Sequence, residues 1–328
     1  MRIGILSAGG DCPGINATIR GVGKTALTHF GMEVIGIKSG FSGLLKNDCI
    51  PLDYNALSGL LNLGGTILGT SREKPFKVPL GGENPKPQII AENYRKLELD
   101  CLVCIGGNGT QKTAYKLSQL GMNIIGIPKT IDNDVWGTDI SFGFYTAVDI
   151  ATEAIDRLHS TASSHKRVMI IELMGHRTGW ITLYAGMAGG ADIILLPELG
   201  YDIKKVKQSI LNRAEKGKPY SIVAMGEGLE MDSALIEYET GIETRKTILG
   251  YVQRGGSPSA FDRNLATRLG GHATELIVAQ QFNRMVCVRD DKITSVSLAE
   301  VAGKTRLVTS DHDLIIQGQR MGISFGIN

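Results

Sequence analysis

Cysteine is scarce: Cys12, Cys49, Cys101, Cys104 and Cys287 are the only five in 328 residues. An odd set spread over a large chain excludes a disulfide framework. Cys101 and Cys104 form a C-x-x-C, but in Asp100-Cys-Leu-Val-Cys-Ile-Gly-Gly, a run that reads as a buried strand. Residues three apart on a strand point to opposite faces, so two packed thiols are expected there and not a zinc or redox pair. Charge of one sign is also lacking: 35 Lys plus Arg against 33 Asp plus Glu leaves +2, too little to recruit nucleic acid or an anionic membrane. Glycine or charge interrupts every apolar run before about 18 residues. Met1-Arg2 leads straight into Ile3-Gly4-Ile5-Leu6, which leaves no room for a signal-peptide core. A cytoplasmic chain with no membrane or nucleic-acid partner is expected. Low-complexity tails and short repeats are absent, and His159, His165 and His176 lack metal-ligand spacing.

Glycine, by contrast, is abundant: 42 residues of 328, nearly twice the usual share of about 7%. Short apolar runs that end near glycine alternate with helix-period segments, the pattern of a parallel sheet with crossover helices. The class is therefore α/β. Strands are expected at Arg2 to Ser7, Glu33 to Lys38, Cys101 to Ile105, Asn123 to Ile127, Val168 to Leu173, Asp192 to Leu196 and Tyr220 to Met225. Helices are clearest at Thr146 to His159, Ile203 to Glu215 and Ala260 to Gln280. Residues 73 to 87 carry four prolines and no period, so they read as a surface loop. A domain boundary is expected just after Gly137. In open α/β sheets the ligand sits beyond the carboxyl ends of the strands, which directs attention to the loops there.

Ser7-Ala-Gly-Gly-Asp-Cys-Pro-Gly14 follows the first strand and precedes a helix, so its glycines would let backbone N–H groups approach an anion. Its spacing is not that of a dinucleotide fingerprint. Gly23-Lys24-Thr25 imitates a P-loop tail, but the required glycine five positions earlier is Thr18. Gly106-Gly-Asn-Gly-Thr110 lies between a buried strand and a helix and aims several N–H groups and a hydroxyl at one point. At the next strand end, Pro128-Lys-Thr-Ile-Asp-Asn-Asp134 brings two carboxylates and a lysine. They could cap their own backbone; beside a phosphate cradle, one could take a proton from a hydroxyl while the other helps hold a cation. Arg72, Arg167, Arg245 and Arg254 stand in loops or at strand ends, where guanidinium groups grip phosphate esters bidentately.

Taken in order from about residue 2 to 300, these segments resemble a 6-phosphofructokinase. The resemblance rests on Gly9-Gly-Asp-x-Pro-Gly-x-Asn16, Gly64-Gly-Thr with Arg72, Gly106-Gly-Asn-Gly-Thr110, Pro128-Lys-Thr-Ile-Asp-Asn-Asp134, Met174-Gly175 and Gln253-Arg-Gly-Gly-Ser-Pro258. It implies two Rossmann-like three-layer α/β domains with mostly parallel sheets. The larger, nucleotide-binding domain would take 1–138 plus 250–305; the smaller, sugar-phosphate-binding domain would take 139–249 plus 306–328. The implied reaction is glycolytic: the γ-phosphoryl of ATP, with magnesium, goes to the 1-hydroxyl of fructose 6-phosphate. Asp132 matches the general base, beside Thr130 and Asp134. Arg72, Gly9 and Gly107, Asn108, Gly109 and Thr110 match the nucleotide-phosphate site. Met174, Gly175, Glu227 and Arg254 match sugar-phosphate contacts. Arg167 and Arg245 match arginines supplied by a neighbouring subunit, which implies a homotetramer with shared active sites.

The chain departs from the family pattern at several positions. Asn108 stands where a magnesium-binding aspartate is usual, with Asp134 a second candidate ligand. His176 stands where an arginine is usual, and Tyr251 where a histidine is usual. Gly109 and Lys129 bear on donor choice. Pyrophosphate-using relatives carry an aspartate at the position of Gly109, which would crowd the α-phosphate of a nucleotide, and a lysine like Lys129. Gly109 favours ATP. Effector control is expected to be feeble, since Tyr54, His159 and Asp192 replace charged groups of the bacterial regulatory site. Two rival readings are a pyrophosphate-dependent phosphotransferase and a non-catalytic sugar-phosphate or nucleotide-binding subunit.

Overall fold

The computed structural model describes residues 1–78 and 82–327, so part of the expected 73–87 loop lies outside the described residues. The chain divides into two units, Met1–Tyr145 with Arg254–Thr305, and Thr146–Gln253 with the C-terminal segment from Arg306. In chain order the first unit opens with β1 (Arg2–Ala8), α1 (Ile15–Phe30), β2 (Glu33–Ile37), α2 (Phe41–Lys46), β3 (Cys49–Pro51), α3 (Lys86–Lys96), β4 (Cys101–Gly106), α4 (Asn108–Ser118) and β5 (Ile124–Pro128). The chain passes to the second unit within α5 (Phe144–His165). There follow β6 (Val168–Leu173), α6 (Trp180–Ala188), β7 (Ile193–Leu195), α7 (Ile203–Glu215), β8 (Ser221–Gly226), α8 (Ser233–Thr240) and β9 (Thr244–Ile248). It returns to the first unit with α9 (Ala260–Val278), β10 (Arg284–Arg289), β11 (Lys292–Ser297) and α10 (Leu298–Val301), and α11 (Asp313–Arg320) closes the second.

The first unit's sheet runs β11-β10-β5-β4-β1-β2-β3. Its five inner strands are parallel, and β3 and β11 pair antiparallel at the two edges. β4 is buried along its whole length, with both cysteines inside. Burial pushes the Cys101 and Cys104 thiols up and out of the reactive range. All five cysteines are free. β1 is flanked by β2 on one side and β4 on the other, so the strand order reverses there and the crevice at the carboxyl ends of β1 and β4 is the ligand position of such a sheet.

The second unit's sheet is a parallel β7-β8-β6-β9, over a core of Ile170, Leu195, Val206, Ile210, Val223 and Met225. Here β6 lies between β8 and β9.

Two sequence expectations move. The first boundary falls at 145/146 and not after 138, because residues 139–142 are tied to the first unit: Asp139 donates its N–H to Val288 O at 2.9 Å, and Phe142 bridges to Lys129. The proline-rich loop ends a little before 87, since Pro87 sits in the first turn of α3, where its missing N–H removes no helical bond. Among the described residues, no helix is long and apolar enough to cross a membrane.

Candidate active site

At the carboxyl ends of β1, β4 and β5 three loops meet. After β1, Gly9 takes a left-handed φ of 88°. Its N–H donates to Ser71 O at 2.9 Å and its carbonyl accepts from Thr70 Oγ1 at 2.7 Å. Arg72 follows directly; it is exposed and makes no ion pair among the described residues. After β4, Gly107 caps α4 and the Thr110 hydroxyl donates to Ala8 O at 3.3 Å. A methyl group on Gly109 would meet nothing within 4 Å. Asn108 donates its amide to Asp134 O at 3.1 Å, which fixes the amide orientation, and among the described residues its buried Oδ1 meets no donor.

After β5, Lys129 is only 3% exposed. Its ammonium donates to Ala8 O at 3.2 Å and to Gly10 O, and burial draws its pKa below the ordinary lysine value. Thr130 Oγ1 accepts the Asp132 N–H at 3.0 Å. Asn133 takes a left-handed φ of 51°, with its Oδ1 accepting the Ser141 N–H at 2.9 Å. This turn places Asp132 and Asp134 at partly buried positions on either side of a buried Asn133. Arg254 reaches the same place, because its guanidinium occupies the space a Cβ on Gly10 would need, and its buried Nε has no acceptor among the described residues.

In the second unit, Met174, Gly175 and His176 follow β6 and Glu227 follows β8. Glu227 donates its N–H to Leu173 O at 2.7 Å and accepts the His176 N–H on its carboxylate at 2.6 Å. Gly175 has φ 153°, with no room for a Cβ against Thr178 O. Tyr251 is 75% exposed. Arg167 and Arg245 lie elsewhere. Arg167 precedes β6 and Arg245 is the second residue of β9, so both mark the amino edge of the sheet. Six residue steps from Val168, at that edge, along β6 put Met174 about 20 Å away. The two arginines share Glu243, with Arg167 Nε donating at 2.6 Å and Arg245 Nη2 at 2.5 Å. The Arg167 hydrogen bond holds the Glu243 carboxyl below its ordinary range.

The sequence matches the family described as phosphofructokinase over residues 2–277. The chain belongs to the phosphofructokinase family. It is 65% identical over 338 residues to "ATP-dependent 6-phosphofructokinase 3" of Bacteroides thetaiotaomicron, covering 99% of this chain and 100% of the relative. It is 51% identical over 354 residues to an "ATP-dependent 6-phosphofructokinase" of Spirochaeta thermophila, covering 98% and 97%. Among solved structures, a chain of the Saccharomyces cerevisiae phosphofructokinase superposes with a TM-score of 0.81 at 30% identity. That match covers 92% of this chain, which spans 45% of the yeast chain's length.

The sequence assigned no role to the groups that brace this site, although Asn16 closes one of its motifs. Asn16 donates to Leu63 O and Gly64 O and accepts the Ile67 N–H at 2.8 Å, so it holds the Gly64-Gly65-Thr66 loop. Buried Gln111 ties Gly106 O to Ile127 O across the ends of β4 and β5. A buried amide one turn into a helix that follows a glycine loop was the available signal. The Asp192 carboxylate is committed to the Ile222 N–H at 2.9 Å and to Arg213 at 2.8 Å, and burial raises its pKa. Among the described residues no group of three or more His, Cys, Asp or Glu is arranged to hold a metal.

Proposed function

We propose that this chain is an ATP-dependent 6-phosphofructokinase, transferring the γ-phosphoryl of ATP to the 1-hydroxyl of fructose 6-phosphate to give fructose 1,6-bisphosphate and ADP, a step of glycolysis in the cytoplasm. The observation that carries this reading is the meeting of Asp132, the Gly107–Thr110 turn and Arg254 at the strand-order reversal of the first unit. The chemistry is positioning and charge neutralisation. Asp132 takes the proton of the sugar alcohol, with its own N–H fixed by Thr130. The Gly9 and Gly107–Thr110 turns and Arg72 hold the nucleotide phosphates. Arg254, Met174, Gly175, His176, Glu227 and Tyr251 contact the sugar phosphate.

Magnesium fits as a partly protein-held ion. The orphaned Asn108 Oδ1 offers one neutral oxygen, and Asp134 is the second candidate ligand. Nucleotide phosphates and water would supply the rest of an octahedral shell. When bound, the ion neutralises charge on the transferred phosphate.

One fructose 6-phosphate cannot span the second unit's sheet from Glu227 to Arg167 and Arg245. The two arginines therefore serve the site of another copy, which supports a homotetramer with shared sites. Initial rates with fructose 6-phosphate and ATP, with and without magnesium, test the reading; no ATP-dependent product would refute it.

The second reading, pyrophosphate as donor, draws on Lys129. Its ammonium is already engaged by two backbone carbonyls, and Gly109 leaves space for a nucleotide, which favours ATP. Substituting pyrophosphate in the same assay decides between them.

A further inference from the structure

Glu243 is a single carboxylate with two arginines on it. Val168 and Thr244 are paired in the parallel register of β6 and β9, so the residues just before them, Arg167 and Glu243, are carried side by side. The Val168 N–H also bonds Glu243 O at 2.9 Å. Glu243 Oε2 takes Arg167 Nε, and Oε1 takes Arg245 Nη2. Glu237 adds a second hold on Arg245, accepting from Nη1 at 3.1 Å and from the Thr244 N–H at 3.0 Å.

The two arginines are bound differently. Arg167 is gripped only at Nε, so among the described residues its two terminal nitrogens face no acceptor. Both terminal nitrogens of Arg245 are occupied, Nη1 by Glu237 and the Thr244 carbonyl and Nη2 by Glu243. Two guanidinium groups brought this close without an intervening anion would repel and splay. A phosphate ester needs them convergent, with terminal edges forward.

We propose that Glu243 is a positioning residue that presets Arg167 and Arg245 as a paired grip for the phosphate of the sugar ester. This rests on the reading above, in which the pair serves a neighbouring copy's site. Glu243 keeps the Arg167 Nε edge throughout and leaves its terminal edge for phosphate. At Arg245, which is 54% exposed, the incoming dianion replaces the carboxylate contacts. Glu243 never touches substrate and acts only through the two guanidinium groups.

The test is steady-state kinetics on the intact enzyme carrying Glu243→Gln, which keeps one acceptor oxygen but removes the charge and turns an amide donor toward one arginine. The expected result is a KM for fructose 6-phosphate raised about tenfold, the loss of roughly one charge-assisted hydrogen bond. The KM for ATP should stay constant and kcat should hold within about twofold. Glu243→Asp, too short to reach both arginines, should give an intermediate KM and keeps the test open if the glutamine variant does not fold. An unchanged KM for fructose 6-phosphate in either folded variant overturns the proposal, as does an equal loss in both substrates' KM and in kcat. Arg167→Ala and Arg245→Ala separate the two levels. If both raise that KM while Glu243→Gln does not, only the role of Glu243 falls; if neither does, the assignment of the arginine pair falls with it.

Discussion

The side-chain amide of Asn108 donates to the backbone carbonyl of Asp134 across 3.1 Å, fixing the first residue of α4 to the loop that carries Asp132. That bond spends the amide nitrogen and turns Oδ1 inward, where it meets no donor. A carboxylate could not make the bond, but would bind a cation better. Asn108→Asp is therefore expected to lower the magnesium concentration for half-maximal rate by roughly 3- to 10-fold. The same variant should lose about 1 kcal/mol of stability without magnesium. Magnesium titration of the rate and thermal unfolding in chelator check the two halves.

Asp132→Ser should reduce kcat by roughly 10²- to 10⁴-fold with little change in Tm, since a general base contributes on that scale. Near-normal turnover would remove the residue from its assigned part.

At Gly109 an added side chain points into open space, so Gly109→Asp should fold with an unaltered Tm. Its carboxylate would still face the nucleotide's α-phosphate. Use of ATP should fall by at least about tenfold, while any activity with pyrophosphate is spared. Equal loss with both donors would contradict the steric account.

Gly10→Ala would place a methyl group where the Arg254 guanidinium now lies. The obstruction is the far end of a flexible side chain, so the fold should survive while the arginine is displaced. The expectation is a KM for fructose 6-phosphate raised roughly 10-fold or more at near-normal Tm, measured by steady-state kinetics and calorimetry.

His312 gives a stability effect of pH. Its Nδ1 accepts the Leu314 N–H at 3.3 Å as the cap of α11 and also lies 3.0 Å from the Asp313 carboxylate. The first contact needs a neutral ring and the second a charged one. Burial against Trp180 and Tyr184 lowers the pKa below 6.5, and Asp313 is 89% exposed and well screened, so the neutral capping form prevails. The unfolded chain then binds more protons than the native one just below pH 6.5. Stability is full above that pH and falls as pH drops toward the native value. His312→Asn keeps a capping oxygen without titrating, so comparing its Tm with wild type at pH 7.5 and 5.5 should show a smaller drop for the variant.

β4 and β8 were legible because each is an apolar run ending in glycine. β10 and β11 were not read, because Arg284-Met-Val-Cys-Val-Arg289 and Lys292-Ile-Thr-Ser-Val-Ser297 are joined by Asp290-Asp291 and not by glycine. Both aspartates take left-handed φ, 49° and 61°, the conformation of a tight hairpin turn that glycine or asparagine usually supplies. The Pro128–Asp134 loop stood out through its residue types, two aspartates and a lysine at a strand end. The ends of the second sheet are not legible that way: a strand's direction decides which residues share an edge, and only the parallel register of β6 and β8 puts Arg167 and Glu227 at opposite ends.

The first unit is closed late in synthesis. β5 gains its outer neighbour only from β10, and α1 packs along α9 with Gly21 pressed on Thr267. A chain emerging from the ribosome thus exposes a bare parallel strand and an uncovered helix until some 250 further residues have followed α1, about 12 to 50 seconds at ordinary elongation rates. Over that interval the nascent polypeptide is a natural client for holding chaperones, and cutting the gene at either crossing would leave that need permanent.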